Sequence, residues 1–213
     1  MEKKYISKNS LKRLPFYMNY LKEMKLEGRT HISSTVIAKG LSLNDVQVRK
    51  DLALVSRTGG KPKNGYEIDE LINDIELFLG CRNNNLSILV GVGSLGHALL
   101  GYKGFEEYGL SIVGAFDSNE KVIGTLIKGV PVMRMSEITN FCSEKKVNIA
   151  IITVPAQYAQ EVCDILVEAG IKAIWNFAPT KLDVNDDIIV QNENMASSLA
   201  ILSRHLNEKM KKN

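Results

Sequence analysis

The stretch SILVGVGSLGHALLGY at residues 87–102 restricts the fold of this chain more than any other part of it. Glycines at 91, 93 and 96 fall where a short apolar strand gives way to a helical pattern, the spacing G-x-G-x-x-G. Each has a separate physical use. The first permits the sharp turn, the second lets main chain approach a diphosphate closely, and the third lets helix and strand pack in contact. A turn of this kind needs a sheet around it, and the sequence supplies one.

Apolar runs predict strands at 87–92, 111–116, 148–153, 172–176 and 187–190, with helical stretches between several of them. NIAIITV followed by QYAQEVCDILVEAGI fits a parallel sheet with right-handed helical crossovers. The acid on the second strand is Asp117, 26 positions after Gly91 in IVGAFDSNEK. Its carboxylate suits ribose hydroxyls and repels a 2′-phosphate, so NAD(H) is the expected cofactor in preference to NADP(H). The helix amino terminus favours the phosphate charge, which brings Val92, Ser94 and Leu95 into the binding set with the three glycines, and Ser118 beside Asp117. Coenzyme A, or a sheet that keeps the turn without a nucleotide, are the alternatives.

The first eighty residues have a different period. Leu11, Leu14, Tyr17, Met18 and Leu21 recur at three and four, a helix ended by Gly28. A second short helix starts at Ser33 or Ser34, and a third follows Ser42 or Asn44 with DVQVRKDLALVS as its body. In that third helix Val46, Leu52 and Val55 are expected to face inward. RTGGKPKNGYEI then reads as a basic hairpin, which completes a winged helix-turn-helix. Arg49 suits a bidentate contact with guanine and Gln47 one with adenine, while Lys12, Arg57, Lys61 and Lys63 suit phosphates of double-stranded DNA. A helical protein-interaction module with a solvated basic face is the competing reading.

Charge supports the division. Residues 8–63 hold twelve Lys and Arg against four acids, a balance of +8, whereas 81–213 hold thirteen against fourteen, a balance of −1. Such asymmetry suggests a polyanion at the amino-terminal part. The polar start and the absence of an 18-residue apolar run lead us to expect a cytoplasmic protein with neither signal peptide nor membrane span. Cys81, Cys142 and Cys163 are scattered, so neither a disulfide framework nor a metal site is expected. His31, His97 and His205 lie in separate segments, and no triad or paired-carboxylate arrangement is visible, so sensing is favoured over catalysis. A small NAD-dependent oxidoreductase is the runner-up, and a coenzyme A-binding regulator the third reading.

The stretches KRLPFY (12–17), QVRKDL (47–52), GVGSLGHALLGYKGF (91–105), FDSN (116–119), ITVPAQYAQ (152–160), AGIKAIWNFAP (169–179) and LAILSRHL (199–206) resemble the Rex family of redox-sensing transcriptional repressors, in order and over nearly the whole chain. The resemblance implies an α/β protein: an N-terminal winged helix-turn-helix (1–80), a Rossmann-like parallel-sheet domain (81–190) and a C-terminal helix (191–213) exchanged between the subunits of a homodimer. It further implies a repressor on a palindromic operator, released or tuned by the NADH/NAD ratio. By the same resemblance Arg49 and Lys50 enter the major groove, and Arg13 and the wing lysines meet the backbone. Thr153, Val154 and Pro155, with Asn176, Phe177 and Ala178, surround the nicotinamide end.

Three departures from the family pattern stand out. ALVSRTGGKPKNGY replaces a shorter wing sequence of the Ser-Tyr-Phe-Gly type. The family's switch resembles an interlock in which a first-helix arginine pairs with an aspartate before the terminal helix, the aspartate turning to a tyrosine in the other state. The tyrosine is Tyr102, but the other two positions are Asn19 and Asn194, and Met195 stands where some members have phenylalanine. Two amides leave no orphaned charge, yet a state-specific ion pair is gone, and a weaker redox response is expected.

Overall fold

The structure is a computed structural model that describes residues 6–211. Residues 1–5 and 212–213, part of the expected first and last segments, lie outside the described residues. Two compact units divide the chain, one ending at Asn83 and the other starting at Asn84.

In the first unit, α1 (Lys8–Leu26) starts at Ser7, whose side chain accepts from the Ser10 N–H, and buries Leu14, Tyr17, Met18, Leu21 and Met24. Ser33 caps α2 (Ser34–Gly40) by accepting from the Val36 N–H. Asn44 caps α3 (Asp45–Val55) through the N–H groups of Val46 and Gln47. Between α3 and α4 (Ile68–Leu79), residues 56–65 form the wing, closed by two hydrogen bonds between Lys61 and Gly65. Strands β1 (His31–Ile32) and β2 (Tyr66–Glu67) pair antiparallel at its root. Gly65 is confined there: φ is +71°, and an added Cβ would stand 2.3 Å from the Ile32 carbonyl oxygen. One expectation fails. Val46 is exposed, and Val48 takes its place with Leu52 and Val55, because positions i, i+4 and i+7 share a helix face and Val46 lies well round from it.

The second unit holds β3 (Asn85–Val90), α5 (Ser94–Leu100), a 3₁₀ turn (Lys103–Tyr108) and β4 (Leu110–Asp117). The hairpin of β5 (Leu126–Ile127) and β6 (Val130–Arg134) follows, then α6 (Ile138–Lys145), β7 (Ile149–Ile152), α7 (Ala156–Glu168), β8 (Ala173–Asn176), β9 (Ile189–Asn192) and α8 (Met195–Met210). Sheet order is β5-β6-β4-β3-β7-β8-β9, parallel except for the β5–β6 pair. From β3 the chain builds outward to β6 and then returns to build the other way from β7. The reversal leaves a crevice at the carboxyl ends of β3 and β7, the usual ligand position in such sheets. Side chains alternate between its faces: Ile88, Val90, Ala150 and Ile152 pack with Cys142, Val162, Cys163 and Leu166, while Leu89, Ala115 and Ile151 pack with Leu100.

Five strands lie where the apolar runs predict them, but the β5–β6 hairpin was not expected. Its strand carries Pro131, and its turn is Lys128-Gly129, both at positive φ. Lys-Gly is a poor advertisement for a turn usually made by Asn-Gly or Asp-Gly.

Candidate functional site

The glycine turn has the geometry its spacing demands, with a different reason at each position. Gly91 sits at φ +97°, and a Cβ there would stand 2.7 Å from Val154 Cγ1. At Gly96 a Cβ would lie 2.1 Å from the Gly91 carbonyl oxygen, so α5 packs against its own turn with no room for a methyl group. Gly93 meets nothing within 4 Å: its missing side chain leaves open space. No side chain caps α5, so its first amides have no local acceptor.

Two neighbours hold the turn. The Thr153 hydroxyl donates to the Gly91 carbonyl at 2.6 Å, and the Thr153 N–H donates to the Val90 carbonyl at 2.9 Å. Asp117 accepts from the Val92 N–H at 2.6 Å through one oxygen and from the Asn119 N–H at 2.8 Å through the other. A cleft of about 620 Å³ opens here, bounded by Gly91, Val92, Gly93, Asp117, Ser118, Thr153, Val154 and Pro155. Val90, Asn119, Val122, Met135, Tyr158, Glu161, Val162 and Ile165 complete the wall, and none of these eight was anticipated. The signal for the α7 residues was available, since that helix begins directly after Pro155 and must face the cleft with its first turns. The volume, the apolar slot and the amide-lined Gly93 face fit a nucleoside diphosphate.

Ser94 and Leu95 open α5 directly after Gly93, and their main-chain N–H groups are those of its uncapped first turn. Asn176 is fully buried and spends its amide on structure, donating to Thr180 O and Asn192 Oδ1 (both 2.9 Å) and accepting from the Ala178 N–H. These bonds fix the turn after β8, in which Ala178 is also buried. Phe177 belongs to an aromatic run of edge and tilted contacts, Tyr102–Phe105–Trp175–Phe177, with centroid separations of 4.9, 5.6 and 4.6 Å. Tyr102 is the exposed end of that run. Asn194 caps α8 by accepting from the Ser197 N–H at 2.9 Å, and Asn19 is exposed on α1.

In the first unit a carboxylate organises the helices. Asp51, 1% exposed, receives Arg13 through Nε (2.7 Å) and a terminal nitrogen (3.1 Å), the Tyr17 hydroxyl (2.7 Å) and the Gln47 amide (2.9 Å). Burial pushes the Asp51 carboxyl up, but these hydrogen bonds outweigh it and the net displacement is downward. Burial, then the bond to Asp51, pushes the Tyr17 hydroxyl up to about 12. Arg13 thus ties α1 to α3 through Asp51, while the Gln47 amide makes an i, i+4 bond to the same carboxylate within α3. Lys12, Arg49, Lys50, Lys61 and Lys63 are exposed. Arg49 makes an i, i+4 contact with Asp45 at 2.8 Å, a surface pair of small worth. Arg57 is divided: its Nε and backbone N–H donate to the buried Asp74, while the rest of its side chain is in solvent.

Burial raises the Cys163 thiol, aided by Asp164, to about 11, and raises Cys142 as well. Neither is a thiolate at neutral pH. Among the described residues no His, Cys, Asp and Glu group could hold a metal ion, and no helix is long and apolar enough to cross a membrane.

A winged-helix unit joined to a sheet with a diphosphate cradle defines a nucleotide-responsive, DNA-binding regulator. A profile described as "Putative DNA-binding protein N-terminus" matches residues 5–53, and one described as "CoA binding domain" matches residues 83–180. The redox-sensing transcriptional repressor Rex of Treponema denticola is 46% identical over 200 residues, covering 94% of this chain and 95% of that protein. The repressor RSP, solved with β-NAD+ and operator DNA, superposes with a TM-score of 0.90 at 36% identity, covering 98% of this chain and 95% of that one. RSP with β-NADH gives 0.86 at 36% identity over 98% and 97%. The chain belongs to the Rex family of redox-sensing transcriptional repressors, which are regulators and not enzymes.

Proposed function

We propose that this protein is a transcriptional repressor that binds NAD(H) in the β3–β7 crevice and an operator through α3 and the wing. The observation that carries the reading is the open Gly93 face beside Asp117 in a chain whose other unit is a winged helix. Main-chain amides of the turn hold the diphosphate, and Asp117 the adenosine ribose. Thr153 keeps the turn in shape. Arg49 and Lys50 meet base edges, and Lys12, Lys61 and Lys63 meet phosphates. The protein acts in the cytoplasm as a homodimer on a palindromic site. Its α8 supports this, since Met195, Leu199, Leu202, Leu206 and Met210 are all more than half exposed along one side.

Asn19 and Asn194 cannot form an ion pair, so reduction of the ligand shifts the DNA-binding equilibrium by less than a charged interlock would. Operator binding titrated separately with NAD, NADH and NADPH at fixed salt tests the whole reading. Duplex binding modulated by NAD(H) is expected. Strong release by NADH alone would refute the weakened response, and indifference to every nucleotide would refute the function.

Coenzyme A is the second reading, favoured by the matched profile. Asp117 argues against it, because a 3′-phosphate on the ribose would face that carboxylate. Native mass spectrometry of purified protein separates the two by ligand mass.

A further inference from the structure

The register of the sheet sets Arg134, last residue of β6, beside Asp117, last residue of β4. An arginine next to the ribose-binding acid is what a site for a 2′-phosphorylated dinucleotide uses. Here that arginine is occupied. Both terminal nitrogens of Arg134 bond the two carboxylate oxygens of Glu120, one of them at 2.7 Å, in a bidentate pair. The pair stands just outside the cleft wall: Glu120 follows Asn119, and Arg134 precedes Met135, both of which line it. The mutual hydrogen bonds lower the Glu120 carboxyl and raise the Arg134 guanidinium, so both are charged at any physiological pH.

We infer that Glu120 is a specificity-determining residue of this site, excluding a 2′-phosphate by holding Arg134 in a closed ion pair beside Asp117. The inference rests on the reading of the cleft as an NAD(H) site. Charge counting gives its logic. Asp117, Glu120, Glu137 (which accepts the Arg134 backbone N–H at 2.8 Å) and Arg134 sum to −2 at the ribose end, which opposes a phosphate dianion. Without the Glu120 charge the sum rises to −1, and the Arg134 guanidinium beside Asp117 regains two donors for a phosphate. Without the Asp117 charge as well, the sum is zero. Selectivity against NADP(H) is thus shared by two acids, one in the cleft wall and one behind it.

The test is a set of equilibrium titrations of the full chain with NADH and with NADPH at low and moderate salt. Glu120→Gln is expected to move the NADPH/NADH affinity ratio toward NADPH by about tenfold, the size of one charge-assisted contact. Glu120→Gln with Arg134→Gln should lose that gain, and Glu120→Gln with Asp117→Ser should enlarge it. The shift should shrink with salt, since both partners are exposed. Wild-type protein that binds NADH, together with a Glu120→Gln ratio that does not move, overturns the inference and leaves the cleft reading intact. Wild-type protein that binds neither nucleotide overturns the cleft reading itself. A gain that survives removal of the Arg134 charge also overturns the inference, because the arginine would then have no part in it.

Discussion

Replacing Gly93 and Gly96 by alanine separately should weaken nucleotide binding in both cases but lower stability only at Gly96, although the two glycines belong to one motif three residues apart. At Gly96 the new methyl would stand 2.1 Å from the Gly91 carbonyl oxygen and 3.0 Å from the Thr153 hydroxyl. Relief requires α5 to move by about 1 Å against a packed sheet, which costs about 1–3 kcal/mol as overpacking. The same movement stretches the Thr153–Gly91 hydrogen bond. Stability and nucleotide affinity should therefore fall together. Gly93 has φ −73° and ψ −167°, which any residue adopts, and nothing within 4 Å of the added methyl. Gly93→Ala should leave stability unchanged or raise it by about 0.4–1 kcal/mol through the less flexible unfolded chain. Its methyl would occupy the approach of the diphosphate, and nucleotide affinity should drop by about tenfold or more. Denaturant unfolding and NADH titration of both variants check the contrast. Equal destabilisation by the two substitutions would show that Gly93 does not stand in open space, and undiminished NADH affinity in Gly93→Ala that the open face is not where the diphosphate lies.

Asp51→Ala should destabilise the first unit by about 3 kcal/mol, since it leaves Arg13, Tyr17 and Gln47 without their shared acceptor. The contribution of Asp51 is complete above the ordinary carboxyl value of 3.8 and is lost as pH falls through its lower folded value, so acid unfolding of that unit should lose this component in Asp51→Ala. Tyr17 acts at the other extreme: stability should decline as pH rises from 10 toward about 12, and Tyr17→Phe should flatten that decline in an alkaline denaturation series. Arg49→Ala should cost about 1–3 kcal/mol of operator discrimination, whereas Lys61→Ala should weaken all duplexes alike and lower the salt slope by about one. Parallel binding curves on specific and scrambled duplexes separate these outcomes. Leu202→Asp should convert the proposed dimer to monomer in sedimentation, and an unchanged mass would refute the assignment of α8 to the subunit contact.

What sequence reasoning could reach depended on whether a residue's role is local. The sharp turn at Gly91 and the close helix packing at Gly96 follow from local spacing, and the geometry shows both. Ser33 and Asn44 cap the helices that start beside them, each one of two neighbouring candidates that were readable. Roles set by distant partners were not. Gln47 looks like a base reader until Asp51, four residues along α3, is found buried and in need of donors. Arg13 lies 38 positions from the same acid. Asn176 ends β8, where the resemblance implied ligand contact, and strand β9, paired with β8, brings Asn192 to its side chain. The cleft wall formed by Val122 and Met135 was hidden for a related reason, because the β5–β6 hairpin between them carries Pro131 and a turn of unusual composition.

Terminal helix α8 has sixteen residues and buries none of them within its own chain. A peptide of that length is at best marginally helical in water. Its winding is therefore lent by whatever covers it, and far-ultraviolet ellipticity should be a function of dilution. Below some threshold copy number the protein would be short of one helix before it was short of anything else, so abundance would be read out as shape.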